Sequence, residues 1–111
     1  MAGVLVRTPI EDGVVEIKNI AVDPALQGKG LGRRLLEEGI ERCRIGGARE
    51  VVIGTGNSSI GQLALYQKVG FQIVAIDRDF FTKNYPETII ENGIVCRDMI
   101  RLSYVVKGNE R

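Results

Sequence analysis

The chain of 111 residues carries a formal net charge of +1, with 15 Lys and Arg residues against 14 Asp and Glu residues. The length predicts one domain with a single apolar core, and the balanced charge argues against a protein that binds nucleic acid by neutralising many phosphates. The sequence contains no histidine, which excludes a Ser-His-Asp triad, a Cys-His pair and a histidine-ligated metal.

The sequence also bears on compartment and partners. Its apolar runs are shorter than the roughly 20 residues that cross a bilayer, and the N-terminal residues lack the layout of a signal peptide. Cys43 and Cys96 lie in apolar periodic segments, as small core residues do in a reducing compartment. We therefore expect a cytoplasmic protein with no nucleic-acid partner and no membrane partner.

The first half of the chain predicts two strands and a helix. Gly3–Thr8 is a short β-rich run, Pro9 and Asp12-Gly13 mark a turn, and Val14–Val22 predicts a longer strand. After three closely spaced glycines, apolar residues recur at helical spacing at Leu31, Leu35, Leu36, Ile40 and Cys43. Gly46-Gly47 ends this predicted helix as C-terminal caps do.

The second half predicts a strand, a helix and a further strand. Glu50–Thr55 is a short buried strand, and a helix runs from about Ser59, which has capping-box spacing to Gln62, as far as Gly70. Phe71–Ile76 predicts the next strand.

The remaining residues predict a loop, a turn and a closing strand. An aromatic and polar loop follows Phe71–Ile76. Asn92-Gly93 then predicts a tight turn, and Val95–Val106 predicts the closing strand. The element order β-β-α-β-α-β-β predicts an α/β fold (α+β by some schemes), with helices flanking a sheet of mixed strand direction.

Three alternating glycines, Gly28, Gly30 and Gly32, stand where the first helix begins. Glycines there expose backbone N–H groups at the positive end of the helix dipole, which favours an anion; Lys29, Arg33 and Arg34 add positive charge. A tight strand-to-helix turn with solvated basic residues is the alternative. The spacing fits neither a P-loop nor the G-x-G-x-x-G loop of dinucleotide-binding folds.

Two motifs in order resemble the GNAT (GCN5-related) N-acetyltransferase family. The pattern Q-x-x-G-x-G beginning at Gln27, preceded by "IAVDP", is similar to the loop that holds the acetyl-CoA pyrophosphate in that family. The stretch "GNSSIGQLALYQKVGF" (Gly56–Phe71) resembles the family's later motif, an asparagine after a strand and then L-Y-x-x-x-G-F. The resemblance covers Val14 to Ile76, and is nearest to small bacterial acetyltransferases of unassigned acceptor.

The resemblance implies acetyl-CoA as co-substrate and a set of residues that bind it. The strand before the glycines would offer backbone groups to the pantetheine arm, the glycine loop would hold the pyrophosphate, and Asn57 would hydrogen-bond the arm. The implied cofactor-binding residues are Ile20, Ala21, Val22, Gln27, Gly28, Lys29, Gly30, Leu31, Gly32, Arg33 and Asn57. No metal is expected, since Asp77 and Asp79 lack the remaining ligands of a calcium loop.

The resemblance also implies two catalytic residues. Tyr66 matches the helix tyrosine that protonates the leaving thiolate, and a phenol with a pKa of about 10 keeps its proton at neutral pH; a tyrosine that only packs on the sheet is the alternative. Glu16 stands where one branch of the family places its general base. The alternatives for Glu16 are a solvent-facing or Lys18-paired carboxylate, with the proton relayed through water.

The expected function is acetyl-CoA-dependent N-acetyl transfer to a primary amine by direct attack on the thioester. The chain 1–111 would be one GNAT domain that lacks the family's usual N-terminal strand and two helices. That departure predicts self-association, as a homodimer, over an exposed strand edge. It also leaves open an acyl-CoA-binding or regulatory module without turnover, or a folding fragment without function. Phe80, Phe81 and Tyr85 fall where the family often shapes its acceptor pocket; an aromatic core patch is the alternative.

Overall fold

A computed structural model describes residues 3–11, 13–22 and 30–106, with side chains described over 13–18 and 30–106. The elements in chain order are β1 (Gly3–Glu11), β2 (Val14–Val22), α1 (Leu31–Ile45), β3 (Glu50–Gly56), α2 (Ile60–Val69), β4 (Gln72–Asp77), α3 (Phe80–Asn84), β5 (Ile90–Glu91), β6 (Ile94–Val95) and β7 (Met99–Val105). Five strands form one sheet in the order β1-β2-β3-β7-β4, and β5 pairs with β6. The predicted fold class is confirmed; α3 and the short β5–β6 pair are additions to the predicted order.

The chain divides into two compact units. The first contains the described residues up to Ile53 and from Tyr104 onward, and the second is Gly54–Ser103.

In the first unit, β1 and β2 form an antiparallel hairpin that runs from Gly3 opposite Val22 to Glu11 opposite Val14. The prediction ended the first strand at Thr8 and placed a turn at Pro9, but the structure continues the strand through Pro9 to Glu11. Proline has no backbone N–H and is tolerated in edge strands and at irregularities. The register shifts between Pro9 and Glu11 in agreement with that rule.

Helix α1 is amphipathic, as its sequence predicts. Its buried residues are Leu36, Gly39, Ile40 and Cys43, at the three- and four-residue spacing of one helix face. On the opposite face Arg33 pairs with Glu37 at 3.2 Å and Arg42 approaches Glu38 at 3.8 Å, both one turn apart. The helix packs on β1 and β2 and ends at the predicted Gly46.

The core of the first unit lies beneath this helix. Parallel pairing joins Val14–Ile17 of β2 to Glu50–Ile53 of β3. Ile17 is 1% exposed, and Leu36 and Val51 are fully buried, so burial of apolar side chains fixes the register of this pairing.

In the second unit, β4 pairs antiparallel with β7. The register skips Val74: Ile73 lies opposite Leu102, and Ala75 lies opposite the next residue of β7, Arg101. This irregularity puts Ile73 and Ile76 on the same face as Ile100 and Leu102, although three positions separate them. Ile73 and Ile76 are about half exposed.

Two sequence predictions in the second unit are wrong. Ser59 stands at the N-cap of α2 but makes no side-chain cap hydrogen bond, so it does not form a capping box with Gln62; its hydroxyl donates to Glu91 instead. The closing strand begins at Met99 rather than Val95, because Val95 pairs with Ile90 and the next residues bond to the Asn57 side chain. The predicted turn at Asn92-Gly93 is confirmed, with φ of 58° and 75°.

The helices among the described residues are all too short or too polar to span a membrane. Within the same residues, no group of three or more Cys, Asp or Glu side chains is arranged to hold a metal ion.

Candidate functional site

The N-terminus of α1 has the backbone geometry of an anion site. Gly30 is the N-cap in the left-handed conformation, with φ 78° and ψ 5°, and accepts a hydrogen bond from the Arg34 N–H at 3.1 Å. Acidic residues are absent from the first turn, and the first N–H groups of a helix have no partner within the helix itself. These N–H groups and the helix dipole favour a negative ligand. Among the described residues, no atom lies within 4 Å of the position that a Cβ added at Gly30 would take.

The other residues predicted in this loop divide into two groups. Leu31 and Gly32 are partly exposed in the first turn of α1, and exposed Arg33 pairs with Glu37 one turn further on. Gln27, Gly28 and Lys29 lie outside the described residues. The geometric evidence for an anion site therefore comes from residues 30–33, the part of the loop that the structure describes.

The strand β2 contains the predicted pantetheine-binding residues at its C-terminal end. Ile20, Ala21 and Val22 pair with Leu5, Val4 and Gly3 of β1. The other edge of β2 pairs with β3 over Val14–Ile17, before these three residues. Ile20, Ala21 and Val22 thus bond to β1 along one edge of the strand.

Glu16 lies in the middle of β2, between Thr8 of β1 and Val52 of β3. Its side chain is 23% exposed, and Oε1 lies 3.5 Å from the Lys18 Nζ, two residues along the same strand face. The structure thus contains the pairing with Lys18 that the sequence left open.

Tyr66 is the only buried residue of α2, at 5% exposure. Its ring packs against Phe71 with centroids 6.0 Å apart and an interplanar angle of 51°. The helix ends at Gly70, where the Phe71 N–H donates to the Tyr66 carbonyl at 2.9 Å. This tight end fixes both aromatic rings of the L-Y-x-x-x-G-F motif.

The phenol of Tyr66 is held in its protonated form. Burial raises the pKa of Tyr66 above its ordinary value of 10.0, since the phenolate is the charged form. No buried side-chain nitrogen or oxygen among the described residues lacks a hydrogen-bond partner. A proton on Tyr66 Oη at neutral pH is the state that a general acid requires.

Asn57 makes more contacts within the chain than the sequence predicts. Its Oδ1 accepts from the N–H groups of Arg97 at 2.7 Å and Asp98 at 2.9 Å, and its Nδ2 donates to the Val95 carbonyl at 3.1 Å. Its backbone N–H donates to the Asp98 carbonyl at 3.0 Å. The side-chain amide offers two acceptor sites and two donor hydrogens, so these bonds use all but one donor hydrogen.

A second polar cluster at the start of α2 was not predicted. Ser59 Oγ donates to Glu91 Oε1 at 2.7 Å, Ser58 Oγ lies 3.3 Å from the same oxygen, and Asn92 Nδ2 donates to the Ser58 carbonyl at 2.8 Å. The signals are present as "NSS" before the helix and "ENG" in the turn. Residues more than 30 positions apart carry no spacing rule that would join them.

A cleft of about 130 Å³ lies beside α3 and is lined by Phe81, Tyr85, Glu87, Val95 and Cys96, among others. The Phe81 and Tyr85 rings stand 5.6 Å apart at an interplanar angle of 33°, while Phe80 packs edge-on against Phe81. A cleft lined by two aromatic residues and a glutamate suits an organic cation.

The predicted site residues fall in both units. Glu16, Ile20–Val22 and Gly30–Arg33 belong to the first, whereas Asn57 and Tyr66 belong to the second.

Comparison with known proteins agrees with this fold and these motifs. The model of the acetyltransferase (GNAT) family matches residues 1–71. The N-acetyltransferase YvbK of Bacillus subtilis, described as uncharacterized, is 56% identical over 102 residues, which are 92% of this chain and 66% of YvbK. The chain therefore spans just under two thirds of that relative's length.

Two solved structures are similar at about half identity. A Bacillus subtilis acetyltransferase in complex with CoA superimposes with a TM-score of 0.94 at 53% identity, over 96% of this chain and 70% of that one. A GNAT family acetyltransferase from Elizabethkingia anophelis with acetyl-CoA bound gives 0.91 at 48% identity, over 95% and 69%. The chain belongs to the GNAT acetyltransferase family.

Proposed function

We propose that the chain is an acetyl-CoA-dependent N-acetyltransferase that transfers an acetyl group to a primary amine. The single observation that supports it most is the left-handed Gly30 at the N-terminus of α1, in a chain of the GNAT family. A pyrophosphate needs backbone N–H donors, which the first turn of a helix supplies. It also needs room to approach them, and among the described residues no atom lies within 4 Å of the place that a Cβ at Gly30 would take. Gln27, Gly28 and Lys29 would complete the loop, on the motif alone.

The pantetheine arm would bind along β2. Its amides need a strand edge with which to exchange hydrogen bonds, and Ile20, Ala21 and Val22 use β1 on one edge only in the register described. The remaining Nδ2 hydrogen of Asn57 would donate to the same arm. These assignments follow the family resemblance and agree with the hydrogen-bond capacity of the residues.

Acetyl-CoA supplies an activated acetyl group, and the chain supplies orientation and proton transfer. The neutral amine nitrogen forms a bond to the thioester carbon and the carbon–sulfur bond breaks, with Tyr66 Oη giving its proton to the leaving sulfur. Burial supports this role because it keeps the phenol protonated.

The amine must also lose a proton. Glu16, whose carboxylate is partly exposed beside Lys18, would accept this proton directly or through water. Neither Cys43 nor Cys96 is proposed as a nucleophile, because both are buried and the sequence has no histidine to activate them.

Thermal unfolding with acetyl-CoA, followed by release of CoA thiol with a panel of amines, tests the proposal. A ligand that binds only the folded state raises its stability in proportion to log concentration above Kd, so the melting temperature should rise. Tyr66→Phe should keep this rise and lose roughly 10²- to 10⁴-fold in kcat. Stabilisation without thiol release from any amine would instead identify a CoA-binding module, and no stabilisation would refute both.

We further propose that the chain self-associates, as a homodimer, in the cytoplasm. The apolar face that Ile73 and Ile76 share with Ile100 and Leu102 is half exposed at β4, and exposed apolar faces are typical of interfaces. Light scattering at micromolar concentration tests this, and a strictly monomeric mass would contradict it. The two cysteines, neither in a disulfide, agree with a reducing compartment.

A further inference from the structure

The Asn57 side chain joins the end of β3 to a segment about 40 residues further along the chain. It bonds to three consecutive peptide groups of that segment, through the Val95 carbonyl and the N–H groups of Arg97 and Asp98. The residues from Cys96 to Asp98 belong to no strand, so a side chain provides the bonds that a neighbouring strand would provide elsewhere. We call residues 95–98 the clamped segment.

The clamped segment forms one wall of the cleft beside α3. Val95 and Cys96 line the cleft, the Phe81 N–H donates to the Arg97 carbonyl at 2.9 Å, and the Asp79 N–H donates to Asp98 Oδ1 at 2.8 Å. The aromatic wall of the cleft is therefore tied to the clamped segment, which is tied in turn to Asn57.

Gly56 makes room for this arrangement. A Cβ added at Gly56 would lie 2.5 Å from Cys96 Sγ and 3.5 Å from the Phe81 ring. Gly56 therefore allows the clamped segment to approach the end of β3 closely, and the Asn57 amide bonds to it there.

We infer that Asn57 is a positioning residue for the amine acceptor: its amide fixes the clamped segment and so the shape of the cleft that takes the cationic amine. This inference rests on the proposed function. Phe81, Tyr85 and Glu87 line the cleft, and a cleft with aromatic and acidic residues suits an alkylammonium group. Asn57 acts on the acceptor through the clamped segment without touching it.

Two substitutions separate this role from a contact with the cofactor. Asn57→Ala removes all three side-chain bonds. Asn57→Asp keeps an oxygen that can accept from the Arg97 and Asp98 N–H groups. It replaces the Nδ2 donor, so the bond to the Val95 carbonyl and the remaining Nδ2 hydrogen are both lost. A positioning role therefore ranks wild type above Asp and Asp above Ala, whereas a cofactor role through Nδ2 affects Asp and Ala equally. Asn84→Ala is the matched control, because Asn84 Nδ2 makes one local bond to the Phe80 carbonyl.

The first readout needs no enzyme activity. Cys96 lies in the clamped segment and Cys43 in α1, and both thiols are buried, so Cys43 is an internal reference for labelling by a maleimide. We expect Asn57→Ala to raise the labelling rate of Cys96 relative to Cys43 by about tenfold, Asn57→Asp by less, and Asn84→Ala not at all. Equal acceleration of both thiols, or of neither, would overturn the clamp.

Hydrogen exchange of the wild-type protein covers the case in which a variant does not fold. The N–H groups of Arg97 and Asp98 should be protected to a degree similar to those of β7, because Asn57 Oδ1 accepts from both. Rapid exchange at both positions in the wild type would refute the clamp without any substitution.

The second readout is steady-state kinetics. We expect Asn57→Ala to raise KM for the amine by about tenfold with kcat changed less than about threefold, and Asn57→Asp to restore part of the KM. An increase in KM for acetyl-CoA alone, equal in both variants, would show a cofactor contact and refute positioning. Absence of thiol release by the wild type would refute the proposed function and the amine role, whereas labelling would still decide the clamp.

Discussion

The Ser59 hydroxyl donates to the Glu91 carboxylate across 2.7 Å, at the N-cap of α2. The cap residue therefore bonds to a side chain 32 positions away rather than to the first turn of its own helix. A carboxylate here also lies at the positive end of the helix dipole. The same oxygen lies 3.3 Å from Ser58 Oγ, whose residue is fully buried, so one glutamate serves two hydroxyls.

Removal of the Glu91 carboxylate should destabilise the second unit. Glu91→Ala leaves the buried Ser58 hydroxyl without this acceptor, and we expect a loss of about 1–2 kcal/mol in the free energy of unfolding. Glu91→Gln keeps an oxygen and should lose about half as much. Urea denaturation measures both, with Glu38→Ala on the exposed face of α1 as a control within about 0.5 kcal/mol of wild type. Equal effects at Glu38 and Glu91 would contradict the role of Glu91.

Gly30→Val should abolish acetyl-CoA binding and leave the fold largely intact. The left-handed φ of 78° at Gly30 costs a residue with a side chain roughly 1–2 kcal/mol, and the valine side chain would occupy the space in front of the helix N-terminus. The thermal shift caused by acetyl-CoA measures binding, and circular dichroism measures the fold.

Gly47 provides the matched control for this change. It follows the other end of α1 with φ of 93°, and an added Cβ there would also meet no atom within 4 Å. Gly47→Val should therefore cost a similar amount of stability and keep the acetyl-CoA shift. If both variants lose the thermal shift caused by acetyl-CoA, the loss would be due to strain in α1. That result would contradict a pyrophosphate site at Gly30.

The stability of the chain should fall above pH 10 in a way that depends on Tyr66. Burial raises the pKa of Tyr66 in the folded protein above its ordinary value of 10.0, so between the two values the unfolded chain has lost a proton that the folded chain keeps. Stability then decreases as pH rises, by at most about 1.4 kcal/mol per pH unit for one proton. Urea midpoints between pH 9 and 11 should fall less steeply for Tyr66→Phe; parallel slopes would contradict this origin.

Gly56→Ala should destabilise the protein through a specific contact with Cys96. The new Cβ would stand 2.5 Å from Cys96 Sγ, and overpacking of this kind costs roughly 1–3 kcal/mol. Cys96→Ala removes the sulfur, so the double variant should be more stable than the sum of the single losses predicts. A double-mutant cycle in urea measures this coupling, and simple additivity would argue against the contact.

The elements that depend on local pattern could be predicted from the sequence. The apolar spacing of Leu36, Ile40 and Cys43 placed α1 and its buried face, and Gly46 placed its end, because helix periodicity and capping act over a few residues. The glycine pattern likewise marked the place where α1 begins, and the structure gives Gly30 a left-handed backbone there.

The remainder depended on pairs that are far apart in the sequence. Val95–Asp98 looked like the start of a strand, since nothing local indicates that an asparagine near residue 57 takes its backbone hydrogen bonds. Ser59 looked like a helix cap for the same reason, because Glu91 lies outside any local spacing rule. The sequence motifs name the residues of the candidate site, whereas the contacts of Asn57 required the fold.

The pairing of β4 with β7 also bears on the order in which the chain can fold during synthesis. The residues that pair with β4, Met99 to Ser103, are made more than 20 residues after β4 itself. A ribosome-bound chain that has not yet released Met99 therefore exposes Ile73, Val74 and Ile76 on a strand without its backbone partner, as does a chain truncated before that residue. Such an edge is prone to pair with other chains. Aggregation during expression should therefore depend sharply on whether the last strand has emerged.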